Sequence, residues 1–559
     1  MQAPIRLRVP RKPDRGVSSQ KFPLCYESHS NRMRALSPPK ARERQNLYDW
    51  KSQWGWDTFL RGSCPSLGQL PLRKVSHKLF ALCVNGRMLR NGRWAFLSAS
   101  KREVTYMGIR AAAAVALGRV ARWGGETFMH RSAGNIPGAM ALKVDPTVLV
   151  DLAKKVNPVA VISGTNGKTT TTNLVADCLQ TAGVPLYCNR EGNNLQSGIV
   201  TSLMLAPDAS KVIDAASAAQ APVGCFECDE MYTKYVLPRL RPHYFMLLNL
   251  FRDQLDRFGE IDRIQDTIAE ALAKTPETTF VFNGDDPLCA AIADRIPNKS
   301  LAFGIASDMG LSADRISDSR FCQKCGGALQ YDYVHYGQLG AYHCPDCGWS
   351  RPDLAFAATN VRLEDDGFAF DIDGRTVRTG HTGAYMVYNV LAAYAISKLS
   401  NIVSFENYQS SVSEYRPTNG RLQTFDLGER MVMTNLAKNP TGFNQNIRIV
   451  LNEKGRVLAL FVNDNDADGH DVSWFFDIDF ERWSHIDGLR AFVGGTRAND
   501  MQVRLKYAGI QAEIVQNVQN VLDATDAADG KVYIIANYTA LPTVRRELEG
   551  MQAAAKGEE

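Results

Sequence analysis

The chain has 559 residues, 45% hydrophobic and 22% charged, an ordinary globular composition too long for one hydrophobic core, so two or three domains are expected. No apolar run approaches the roughly 18 residues of a membrane span, and the N-terminus lacks a secretion-signal pattern, so neither an integral nor an exported protein is expected. The net charge of +5 is unevenly spread: of 64 Lys+Arg and 59 Asp+Glu, 21 and 6 fall in residues 1–106.

That first segment holds four of the eight tryptophans, yet neither a helical nor a strand period persists in it. It reads as a basic arm for nucleic acid or anionic lipid, or as a disordered or non-native extension ahead of a start at Met107. The second reading is the expectation carried forward. Helical periodicity begins at Gly108 and runs to Trp123. From Val156 to Ser163 an apolar, β-rich run leads into a Gly-rich turn and a helix over Lys168–Ala182. Val223–Glu227, Tyr244–Leu250 and Thr279–Asn283 repeat the strand pattern with helical stretches between them, as in a parallel sheet covered on both faces.

The turn Ser163-Gly164-Thr165-Asn166-Gly167-Lys168-Thr169-Thr170 lies between a strand and a helix. Its backbone N–H groups and the helix N-terminus suit phosphate, Lys168 would neutralise the β/γ-phosphates, and the Thr169 hydroxyl would reach Mg²⁺. Ile162 stands where the common pattern has its first glycine, so Gly164 makes this a variant loop. Among twelve cysteines, Cys322-x₂-Cys325 and Cys344-x₂-Cys347, each pair followed by glycine, have the spacing of two metal knuckles. Four thiolates would close a tetrahedral, structural zinc site. With only Lys324 and Arg351 as basic residues there, no nucleic-acid partner is expected. Cys225 and Cys228 read as packing residues, and His335 and His343 as packing or surface residues. A helix follows over Val387–Leu399. After Gly420, strands near Arg456–Val462, Leu489–Val493 and Val532–Ala536 mark a smaller α/β domain.

Gly-Thr-Asn-Gly-Lys-Thr-Thr resembles the phosphate loop of the Mur ligases and folylpolyglutamate synthases. Glu227 matches the strand-end glutamate that binds Mg²⁺ in that superfamily. Asn249-Leu250-Phe251-Arg252-Asp253-Gln254-Leu255-Asp256 resembles another of its segments, with Gln254 where histidine is usual. Asn283-Gly284-Asp285-Asp286-Pro287 and Tyr388-Asn389-Val390 look like its nucleotide-side segments, which places Asn283, Asp285 and Asn389 at the nucleotide, Asn389 near adenine. The cysteine pairs, Gly420-Arg421, Leu436–Gln445 and Asn463–Trp474 together resemble the MurT group, the synthetase subunits of lipid II isoglutaminyl synthase.

The resemblance implies an α/β fold: a Mur ligase central domain (107–415) with a Cys₄ zinc ribbon inserted (320–352), then a Rossmann-like C-terminal domain (416–559). It implies ATP-dependent amidation of the α-carboxylate of D-isoglutamate in the lipid II stem peptide, through an acyl phosphate, in peptidoglycan synthesis. Lys168 and Glu227 would serve catalysis, and Arg421 would join the nucleotide site. Ammonia would come from a GatD-type glutaminase bound as a heterodimer through the C-terminal domain, its Cys-His pair completed by Asp468 or Asp471. The work would be done at the cytoplasmic face of the plasma membrane. Lys438, Asn439 and Asn444 fall among the family's substrate-side positions, with loop capping as the alternative for the two asparagines. Another Mur-superfamily ligase, or a zinc-ribbon ATPase binding nucleic acid, are the alternatives.

Overall fold

Runs such as Val-Gly-Cys-Phe-Glu at 223–227 have no polar face to turn to water, and they form strands with both sides covered. The structure, a computed structural model, describes residues 86–88, 94–96, 105–129, 134–205, 222–253, 261–417 and 420–557. All of these belong to the unit Ser66–Glu559. Most of the basic segment and Gln254, with the expectations attached to them, lie outside the described residues. Within that segment β1 (Gly86–Met88), β2 (Trp94–Phe96) and β3 (Thr105–Met107) nonetheless pair antiparallel, where the sequence shows no strand period.

The larger sheet has nine strands. In chain order they are β4 (Asn157–Ser163), β5 (Leu186–Cys188), β6 (Val223–Glu227), β7 (Tyr244–Leu247), β8 (Thr279–Asn283), β9 (Ser300–Ile305), β12 (Leu354–Glu364), β13 (Gly367–Ile372) and β14 (Arg375–Arg378). They lie in the order β14-β13-β12-β9-β8-β7-β4-β6-β5, parallel from β5 to β12 and antiparallel beyond. Between β9 and β12 the chain makes the separate hairpin of β10 (Gln330–Tyr336) and β11 (Leu339–His343), flanked by the two cysteine turns. One face of the large sheet is covered by α1 (Ile109–Met129), α2 (Ile136–Val144), α4 (Gln196–Leu205) and α5 (Pro287–Ala293); α3 (Lys168–Thr181) and α6 (Tyr385–Ser400) belong to the core of the other.

A second sheet of six strands follows: β15 (Gln423–Asp426), β16 (Met431–Leu436), β17 (Val457–Phe461), β18 (Arg490–Gly494), β19 (Ala512–Ile514) and β20 (Val532–Ala536). Its order is β15-β16-β20-β17-β18-β19, all parallel except edge strand β15. After β16 the chain enters α7 (Pro440–Asn452), capped by Asn439, whose Oδ1 accepts from the Gly442 N–H at 2.8 Å. Among the described residues no helix is long and apolar enough to cross a membrane.

Candidate functional site

The parallel strands end at the chemistry, as open α/β sheets require. From the end of β4 the loop Gly164–Gly167 turns into α3, with both glycines at positive φ, +136° and +88°. A Cβ on Gly167 would stand 2.4 Å from Asn389 Oδ1, so this position accepts no side chain. Asn249 supports the loop from the end of β7: its Oδ1 accepts the Asn166 N–H at 2.9 Å, and its Nδ2 donates to Asn166 O at 3.0 Å. The Thr165 N–H donates to Asn249 O at 3.0 Å.

Lys168 Nζ folds back over the loop to Gly164 O and to Glu230 Oε1, the latter at 2.9 Å. Burial opposes its charge, but the carboxylates of Glu230, Asp229 and Glu227 outweigh that and hold its pKa above the ordinary lysine range. Burial raises and Lys168 lowers the Glu230 carboxyl, with a net fall. Asp229 is pushed up to about 6, by burial and then by the Glu230 charge. Thr169 Oγ1 donates to Glu227 Oε2 at 2.6 Å, and Asn194 Nδ2 donates to Glu227 Oε1 at 3.1 Å. Asn189 clamps the Glu227 backbone on both sides, at 2.8 Å each. Thr169 and Glu227 thus pair two hard oxygen donors beside a phosphate loop, a set that fits a magnesium ion.

The structure brings Gly164 to Thr170, Glu227 and Asn389 together. Asn389, expected near adenine, accepts from Thr171 Oγ1 at 3.3 Å and backs Gly167. Burial raises the pKa of the Tyr415 hydroxyl, with the Thr170 side chain and the Arg421 charge opposing it. Asn283 and Asp285 stand apart from this set. Asn283 Oδ1 accepts the Asp285 N–H at 3.1 Å. The wholly buried Asp285 carboxylate accepts from Arg351 (3.1 Å), the Ile305 N–H (2.8 Å) and Tyr388 OH (2.7 Å). Glu230 and Asn194 carry no signal of their roles in the sequence, because their partners are 62 and 33 residues away.

The second sheet reaches the same loop. Lys438 pairs with Asp253, and Asn439 Nδ2 donates to Asn166 Oδ1 at 3.3 Å. Asn444 Oδ1 accepts the Asp479 N–H at 2.9 Å, an internal tie. Farther along, the candidate aspartates differ. Asp468 is buried, taking the Thr539 N–H at 2.9 Å and the Thr539 hydroxyl. Asp471 is exposed and caps a turn through the Ser473 N–H at 2.8 Å.

The Sγ atoms of Cys322, Cys325, Cys344 and Cys347 all lie within 4.8 Å of one another, with Cys322–Cys347 at 3.6 Å and Cys325–Cys344 at 3.5 Å. A tetrahedral thiolate site with bonds of about 2.3 Å needs sulfurs about 3.8 Å apart, so the donor set fits. The Gly326 N–H donates to Cys322 O and the Gly348 N–H to Cys344 O, closing both knuckles. Cys225 and Cys228 are buried in the large sheet's core, and His335 is buried as well.

Comparison with known proteins agrees with this geometry. Residues 162–397 match the Mur ligase middle domain, and residues 436–541 match the MurT ligase C-terminal model. The chain is 32% identical over 440 residues to the lipid II isoglutaminyl synthase (glutamine-hydrolyzing) subunit MurT of Staphylococcus aureus (strain N315), covering 78% of this chain and 97% of that one. To the same-named subunit of Streptococcus pneumoniae (strain R6) it is 34% identical over 429 residues, 75% of this chain and 93% of the relative. Among solved structures, a pseudomurein peptide ligase type C from Methanothermus fervidus shares the fold, with TM-score 0.53 at 18% identity over 72% of this chain and 80% of that one.

Proposed function

We propose, on the premise that this chain belongs to the MurT family of the Mur ligases, that it amidates the α-carboxylate of D-isoglutamate in the stem peptide of lipid II. The observation that carries the reading is the phosphate loop closed by Lys168, with Thr169 and Glu227 joined at 2.6 Å beside it. In this reading residues 107–415, with the 320–352 insertion, form the ATP-binding body, and residues 416–559 form the glutaminase-binding body. Residues 1–106 stand outside both.

A carboxylate is a poor electrophile. Its oxygen attacks the γ-phosphorus of ATP, the bond to ADP breaks, and the acyl phosphate formed carries a good leaving group. Ammonia then adds to the acyl carbon, phosphate departs, and a proton is lost to leave the amide. Lys168 and the loop N–H groups offset the charge that spreads over the transferred phosphoryl. A magnesium ion held by Thr169 and Glu227 would supply further neutralisation there, with Asn194 and Asn189 fixing the glutamate. The four cysteines would hold a zinc ion in a purely structural role.

Ammonia is mostly ammonium at neutral pH, so a GatD-type glutaminase subunit would deliver it in a heterodimer at the cytoplasmic face of the membrane. Exposure favours Asp471 as the acid offered to the partner's Cys-His pair. The test is co-expression with a GatD-type glutaminase and an assay of glutamine- and ATP-dependent lipid II amidation. Lys168→Ala is expected to abolish product while the cysteine site keeps its metal. Unchanged product formation by Lys168→Ala would overturn the assignment.

A further inference from the structure

We propose that the outer face of α1 docks on the surface of an anionic phospholipid bilayer. Most of the helix is apolar or small, with Arg110, Arg119, Arg122 and Glu126 as its charged residues. Its bulk is distributed the opposite way from a core helix. The inner face is small: Ala111, Ala114, Val115 and Gly118 are buried, and a Cβ on Gly118 would come within 2.9 Å of Pro137 O. The larger side chains point out: Ile109 is 58% exposed, Leu117 37% and Trp123 55%, with Ala113 exposed and Val120 half-buried between them. At about 100° per residue these five positions share an arc of about 120°.

The charge around this stripe identifies its occupant. Arg110 and Arg119 flank it on opposite sides, both exposed, and each guanidinium spends one N–H on the protein, Arg110 Nε donating to Val144 O (2.8 Å) and an Arg119 terminal nitrogen to Met204 O (3.2 Å), which leaves their other N–H groups for a headgroup. Glu126 is the single acidic residue in the helix. An apolar ridge with guanidinium groups at its edges is complementary to acyl chains beneath a layer of anionic headgroups. Residues 1–106, ahead of it in the chain, carry a net charge of the same sign.

Position gives the docking a purpose, and this part rests on the lipid-linked substrate proposed above. α1 runs antiparallel to α2, with Arg110 beside Val144 and Gly118 beside Pro137. Its last turns therefore project past the start of α2, where Asn135 bonds Asn193 (3.4 Å) and Ser197 (3.2 Å). The next residue, Asn194, holds Glu227.

Co-sedimentation of the full chain with phosphatidylglycerol-containing vesicles, and with pure phosphatidylcholine vesicles, tests the proposal. Binding to the anionic vesicles alone is expected. The exposed double substitution Ile109→Glu/Leu117→Glu is expected to weaken it by at least about 10-fold. Arg110→Gln/Arg119→Gln is expected to weaken it too, with a shallower salt dependence. Wild-type binding by the Glu variant would assign attachment to the basic residues before α1 and overturn the proposal. So would a wild-type chain that ignores the vesicles and self-associates through this face in sedimentation velocity. Amidation of detergent-dispersed lipid II should be equal in wild type and Glu variant; its absence in both indicts the ligase reading instead.

Discussion

Asp468 and Asp471 stand three residues apart, and their surroundings separate their roles. A carboxylate already holding an N–H and a hydroxyl from Thr539, and buried beside β20, is committed to its own fold. An exposed one that caps a turn keeps a lone pair for a visitor. Asp471→Asn is therefore expected to lower glutamine-dependent amidation by at least about 10²-fold, since an amide orients an imidazole poorly, while amidation from added ammonium chloride stays within about twofold of wild type. Measuring both nitrogen sources on one preparation checks this; equal losses would place Asp471 in the synthetase chemistry. The spacing of the motif left the choice between the two open, because exposure depends on where Thr539 arrives, 71 residues later.

At the scale of elements, α5 shows how a helix cap can carry a pH dependence. Asp286 caps it through the Leu288 N–H at 3.0 Å and also takes the Leu250 N–H at 2.8 Å, tying the ends of β7 and β8 together. Burial pushes its carboxyl up to about 6, against hydrogen bonds that pull it down. The folded pKa lies above the unfolded one, so the native state binds the extra proton and this group's contribution falls as pH rises from about 4 to about 6. The stability advantage of wild type over Asp286→Asn is expected to shrink by about 1.4 kcal/mol per pH unit across that window and to level off above it. Urea melts at half-unit pH steps give the slope. The same elements show what the sequence makes legible. β6, β8 and β20 are continuous apolar runs and match their expected bounds, and the cysteine spacing alone locates the knuckles. β12–β14 escape because the apolar half of Leu354–Glu364 is mostly alanine, which has little preference for strands, and the other half carries charges.

For the whole molecule, one strut joins three parts. Asp314, nearly inaccessible, accepts from Arg448 of α7 at 2.7 Å and from the Gly337 N–H in the β10–β11 turn at 2.8 Å. Arg482 reaches the Ser312 hydroxyl at 2.8 Å and Arg315 donates its N–H to Asp479 at 3.0 Å, so residues 312–315 lie against the second sheet's helices. None of this is visible in the sequence, where Arg448 and Asp314 are 134 residues apart. Removing one member of a buried pair strands the other charge, at a cost of about 3–5 kcal/mol. Asp314→Asn is thus expected to lower the denaturation midpoint and to speed amide exchange in 436–452 more than in β4 or β6. Uniform exchange changes would mean that the strut does not hold the second sheet's helix in place.

The bond from Asn439 to Asn166 has a consequence at a distance. One side chain both starts α7 and steadies the loop meant for the nucleotide, so whatever repositions α7 must alter how tightly that loop holds its ligand. Linkage is symmetric: a subunit that sharpens ATP affinity some factor by seating on the second sheet is itself held tighter by that factor once ATP is present. Fuel and ammonia supply would then report on each other through a single amide.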